Sequence, residues 1–95
     1  ETVPEILLIS PLRIREEIVH HRCAPMFGGE RAVKMSGELA CYYREAAARQ
    51  GCVFLDAAKV TMPCLEDSVH LDPEGHRALA LAVTEKLREI FRERK

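Results

Sequence analysis

Gln50-Gly51-Cys52-Val53-Phe54-Leu55-Asp56 is the stretch on which the fold turns. An apolar run of strand length starts directly behind a glycine, where a left-handed helix cap is expected. Upstream, positions 30–50 read as one long helix. Ala32, Met35, Leu39, Tyr42, Tyr43, Ala46 and Ala47 recur there at spacings of three and four and define an apolar stripe. Gly37 falls inside that helix at a cost of ~1 kcal/mol relative to alanine, which calls for close packing or a break. Further upstream, Ile6-Leu7-Leu8-Ile9 is a second continuous apolar run, bounded by Pro4 and by Ser10-Pro11. Such a run suits a strand buried on both faces of a parallel sheet. Strand, helix and strand in this order imply a right-handed parallel crossover.

Between the first strand and the helix, positions 12–29 are irregular, with a short helix expected over Arg13 to Ile18 and Gly28-Gly29 closing the loop. Beyond the second strand, Ala57 to Glu66 reads as loop, punctuated by Pro63. Asp72 is a good N-cap and Pro73 suits the first helical position. From there His76, Leu79, Ala80, Val83, Leu87, Ile90 and Phe91 form a helical stripe. The expected fold class is therefore α/β, a β-α-β-α unit with a parallel sheet, in a single domain over 1–95. Two parallel strands rarely stand alone. The open edge of the first strand is expected to pair with a missing N-terminal half or with a second copy, giving a homo-oligomer.

The bulk numbers exclude several classes of function. Ninety-five residues make at most one small domain, and 47% hydrophobic residues suffice to pack it. A net charge of −1 with 31% charged residues gives no electrostatic case for nucleic acid or an anionic membrane. The basic end (Arg88, Arg92, Arg94, Lys95) is offset by Glu89 and Glu93. No apolar run approaches the ~20 residues that span a bilayer. The chain opens on Glu1 without a methionine or signal segment, so its true N-terminus is expected to be missing, with a cytoplasmic location favoured.

Cys23, Cys41, Cys52 and Cys64 are separated by 18, 11 and 12 positions, which matches no common metal motif. Reduced structural thiols are expected, with Cys41 and Cys52 buried among apolar neighbours. His20, His21 and Cys23, together with Cys64, are the candidate zinc donors, but the adjacent histidines lack the one-face spacing of helical ligand pairs, and no metal or other cofactor is expected.

The chemistry concentrates in Asp67-Ser68-Val69-His70-Leu71-Asp72-Pro73-Glu74-Gly75-His76. A carboxylate three residues before a histidine can reach back within one tight turn, fix its tautomer and stabilise its protonated form. A bare Asp-x-x-His is more often an ordinary turn. Here it follows a strand and loop, and so opens at the carboxyl end of a parallel sheet, where α/β sites are built.

Asp67-x-x-His70 followed by Leu71-Asp72-x-x-Gly75-His76 and an Ala/Leu-rich helix resembles the C-terminal block of the SGNH (GDSL-type) esterases and lipases. Pro4 to Leu12 resembles that family's fourth strand and Leu39 to Asp56 its helix and fifth strand, so the resemblance covers the C-terminal half of the family pattern. It implies a three-layer flavodoxin-like fold and a serine hydrolase of carboxylic esters, nearest the small arylesterase and acylesterase branch. It also implies that Asp67 orients His70, and that His70 is the general base. The family's serine lies in a Gly-Asp-Ser motif that is absent here, as are its oxyanion donors. The implied partners are a small-molecule ester and the serine-bearing half. Ser68 stands where many relatives carry glycine.

Other nucleophiles stay open from the residues alone. Ser10 ends the first strand, Ser68 lies inside the turn, and Cys64 precedes His70 by six positions, which would allow a Cys-His hydrolase. A further alternative is an interaction or assembly fragment without catalysis. His76 is expected to pack the loop against the start of the last helix.

Overall fold

The computed structural model describes residues 4–22 and 24–93. Cys23 and the basic terminal residues Arg94 and Lys95 lie outside the described residues. Strand β1 (Leu7–Ser10) is followed by a 3-10 turn over Glu16–His20, a short helix α1 (Ala24–Phe27) and a long helix α2 (Gly29–Gln50). Strand β2 (Val53–Asp56), a short helix α3 (Ala57–Val60) and a long helix α4 (Pro73–Glu93) complete the chain. The fold class is α/β. The strands pair in parallel, with Leu7 opposite Val53 and Ser10 opposite Asp56.

The crossover forms for the reason its sequence gives. Gly51 adopts φ 69°, a left-handed conformation that costs glycine nothing, and its N–H donates to the Ala47 carbonyl. Cys52 N–H donates to the same carbonyl at 2.8 Å, and Val53 N–H donates to Ile6 O at 2.9 Å, so the chain leaves the helix straight into sheet pairing. Gly37 marks close packing rather than a break. A Cβ there would lie 3.2 Å from the Arg13 guanidinium carbon.

Helix α2 packs against both strands. Its inner face differs from the expected stripe. Val33, Ser36 and Ala47 are buried, whereas Met35 and Tyr42 are exposed. Ser36 serves as a buried polar joint, its hydroxyl accepting from Ile14 N–H at 2.9 Å and donating to Val33 O at 3.0 Å. Arg44 lies over the Phe54 ring at 5.3 Å, a cation–π contact between helix and β2.

Burial of the strands also departs from expectation. Leu55 and Ser10 are buried and Leu7 and Leu8 half-buried, but Ile6 and Ile9 are 56% and 37% exposed. A sheet of two strands leaves an open edge on each, and β1 borders solvent on one side. Cys41 is exposed and Cys52 only half-buried, so neither is the buried thiol expected. Cys41, Cys52 and Cys64 are all free thiols.

The 3-10 turn supplies the most deeply buried apolar side chain, Ile18, at 0% exposure, from a region the periodicity marks as irregular. Asp56 ends β2 and caps the next element in one step, its Oδ1 accepting from Ala58 N–H at 3.0 Å. That cap turns the first residues of the expected loop into α3. Helix α4 begins at Pro73 as expected, with Gly75 and Ile90 buried, but His76, Ala80, Leu87 and Phe91 of its predicted stripe are exposed. The molecule measures 51 × 28 × 18 Å, with a radius of gyration of 15.5 Å. A compact chain of this length would give about 12 Å.

Candidate active site

The site is built on the segment that joins α3 to α4. Cys64 N–H donates to His70 O at 2.7 Å, and Ser68 N–H donates to Cys64 O at 3.0 Å, closing a tight loop on itself. Ser68 holds φ 64°, the one non-glycine positive φ among the described residues, and this reversal turns the chain back toward Asp67. From outside the loop, Arg15 N–H donates to Ser68 O at 3.1 Å. Downstream, Asp72 Oδ1 accepts from Gly75 N–H at 2.7 Å and starts α4. Gly75 leaves room for that cap, since a Cβ there would lie 2.8 Å from Leu71 Cδ2 and 3.2 Å from Asp72 Oδ1.

Inside the loop the two oxygens of Asp67 divide their partners. Oδ1 accepts from Val69 N–H and His70 N–H, each at 2.9 Å, and from the Cys64 thiol at 3.4 Å. Oδ2 lies 2.5 Å from His70 Nδ1. The backbone N–H of His70, then that of Val69, then the His70 ring hold the Asp67 carboxyl well below the usual carboxylate range. Partial loss of hydration opposes these three, and the Cys64 thiol adds the smallest lowering. An ionised carboxylate has no proton to give, so Nδ1 must be the donor. In the neutral ring Nε2 is then the unprotonated nitrogen, free to take a proton. The His70 side chain is 73% exposed and borders an open cavity of about 740 Å³. Arg15, Met62, Leu65, Leu71 and Glu74 also line this cavity.

The structure thus brings Asp67 and His70 together and treats the other candidates differently. Ser10 is fully buried and donates to Asp56 Oδ1 at 3.1 Å, tying the two strand ends together. Ser68 is buried at 1% exposure, and Ser36, the third serine of the chain, is buried in α2. The thiol of Cys64 is committed to Asp67. His76 is exposed rather than packed between loop and helix, because α4 turns it away from the face that holds Gly75. Arg15 is a residue of the site that sequence reasoning missed. Its separation of 48 positions from Pro63, whose carbonyl its guanidinium holds, leaves no local signal. Among the described residues no group of three or more His, Cys, Asp or Glu side chains is placed to hold a metal ion. No helix among them is long and apolar enough to cross a membrane.

No protein-family model and no curated protein matches the chain. Two solved structures do. One is a carbohydrate acetylesterase family member from Sinorhizobium meliloti, 36% identical with a TM-score of 0.83, the match covering 94% of this chain and 40% of that one. The other is also 36% identical, with a TM-score of 0.82 over 92% of this chain and 39% of its own. The chain therefore spans about two fifths of the solved structures it matches. At that identity the likeness is to an esterase-family hydrolase, and this chain has the α/β fold of the corresponding part.

Proposed function

We propose that this chain supplies the Asp-His part of an SGNH-type serine esterase, with Asp67 as orienter and His70 as general base. The observation that carries the reading is the Oδ2–Nδ1 contact of 2.5 Å, on a carboxylate whose other oxygen is already fixed by two backbone N–H groups. That arrangement holds one tautomer and one ring orientation, which is what a general base needs.

His70 Nε2 takes the proton of a serine hydroxyl as the oxygen attacks the ester carbonyl. It then gives that proton to the departing alcohol, leaving an acyl-enzyme. In the second half His70 takes a proton from water as its oxygen attacks the acyl carbon; the acyl–serine bond then breaks, and His70 returns the proton to the serine oxygen as the carboxylic acid leaves. Asp67 stays ionised throughout and stabilises the imidazolium. All three serines of this chain are buried, which supports a nucleophile supplied by another part of the enzyme. The acetylesterase likeness favours short acyl esters, acetyl groups on carbohydrate among them.

p-Nitrophenyl acetate hydrolysis by the 95-residue chain beside His70→Ala tests the assignment. Equal background rates are expected. Activity that disappears in His70→Ala would overturn the shared-site reading and place the nucleophile inside the chain, with Cys64 first to be replaced. A second reading, an assembly fragment that associates through β1, draws on the exposure of Ile6 and Ile9 beside an open strand edge. A non-catalytic fragment would give the same rates in that assay, so joining the chain to a serine-bearing segment separates the two.

A further inference from the structure

The loop carrying Asp67 is tied back to the body of the molecule by a residue far away in sequence. Arg15 N–H donates to Ser68 O at 3.1 Å, and its guanidinium Nη1 donates to Pro63 O at 3.2 Å. Pro63 and Ser68 bracket the four residues that include Cys64 and Asp67. On its other side the guanidinium is fixed by Glu17, whose Oε2 accepts from Nη2 at 2.8 Å and from Nε at 3.1 Å. That pairing holds the Glu17 carboxyl below its ordinary value. One residue earlier, Ile14 N–H is bonded to Ser36 on α2, so Arg15 stands on an anchored segment. With Glu17 balancing its charge, the guanidinium offers no ready anion site toward the cavity it borders.

We propose that Arg15 is a positioning residue for the Asp67–His70 pair: by gripping the Pro63 carbonyl it sets where the loop stands and the angle at which His70 faces the cavity. The inference deepens the esterase reading, but its geometry is open to test without substrate. A planar guanidinium can donate to a carbonyl on one side and a carboxylate on the other at fixed angles. A lysine ammonium cannot reproduce both.

The test is ¹H NMR and amide exchange on the full 95-residue chain, comparing the parent with Arg15→Met and Arg15→Lys. The hydrogen bond from His70 Nδ1–H to Asp67 is followed through its ring N–H proton resonance, recorded at low temperature and assigned by its absence in Asp67→Asn. The expected result is loss of that resonance in Arg15→Met and about tenfold faster exchange of the Ser68 amide, while α2 amides stay protected. Arg15→Lys retains the resonance in weakened form. An Arg15→Met chain that folds with both signals unchanged overturns the proposal, as does a uniform rise in exchange across α2 and the strands. If Arg15→Met fails to fold, Arg15→Lys decides: a weakened resonance supports the proposal and a parental one overturns it. Lack of ester hydrolysis by the chain joined to a serine-bearing segment would count against the esterase reading and leave these signals as they are.

Discussion

Asp67 gives one oxygen to the backbone and the other to His70, and the order matters. Because Val69 N–H and His70 N–H hold Oδ1, Oδ2 is already aimed at Nδ1 before any substrate arrives. Asp67→Asn removes the charge and lets the wrong tautomer form. In an enzyme completed by its serine we expect kcat to fall by about 10⁴ with KM little changed. The lowered acidity of Asp67 also makes stability depend on pH in one direction. Its carboxyl is easier to ionise in the folded chain than in the unfolded one, whose value is near 3.8. The contribution is therefore fully present above about pH 4 and is lost as pH falls through the lower folded value. Thermal melts of the parent and Asp67→Asn should differ at pH 6 and converge toward pH 2. A gap that stays constant over that range would contradict this. Ser68, at φ 64°, makes a third case. Ser68→Gly should be neutral or stabilising, and Ser68→Val should cost about 1–2 kcal/mol, measured by urea unfolding. The Asp-His pairing was legible in the sequence because its three-residue spacing is local. Arg15 was not, since its partners Pro63 and Ser68 meet it only after the sheet has formed.

At the scale of elements, the helix boundaries follow local chemistry closely. Gly51 ends α2, and Asp72 with Pro73 starts α4, where the sequence indicates. Asp72→Ala should cost about 1 kcal/mol of stability, read from urea unfolding, by leaving the Gly75 N–H without its acceptor. What periodicity could not give is which face each helix buries. Spacings of three and four are satisfied by several overlapping stripes on α2, and the choice falls to its partners. Ser36 is buried because Ile14 N–H needs an acceptor there, while Met35 and Tyr42 on the rival stripe face outward. The short helix α3 escaped notice for a related reason. Asp56 belongs to a strand by pattern, and its second role as a cap shows only when Ala58 N–H turns toward it.

For the whole molecule, the parallel crossover was legible and the coverage of the sheet was not. Continuous apolar runs promise burial on both faces, yet Ile6 and Ile9 are exposed, because two strands cannot enclose one another. The radius of gyration of 15.5 Å agrees with a unit that leaves apolar surface uncovered. We expect the isolated chain to self-associate through the open edge of β1. Sedimentation velocity should show dimer at high concentration and monomer for Ile6→Lys with Ile9→Lys, since lysine on an edge strand blocks pairing. A parent chain that stays monomeric throughout would contradict this. The central claim, that Asp67 and His70 serve a serine held elsewhere in the enzyme, is tested most directly by completing the site. The chain would replace its matching two fifths of the Sinorhizobium meliloti acetylesterase structure, and p-nitrophenyl acetate turnover would be measured with and without His70→Ala. The account predicts an active hybrid that loses about 10³–10⁴-fold in kcat in the variant. A folded hybrid whose turnover is the same with alanine at position 70 would contradict it.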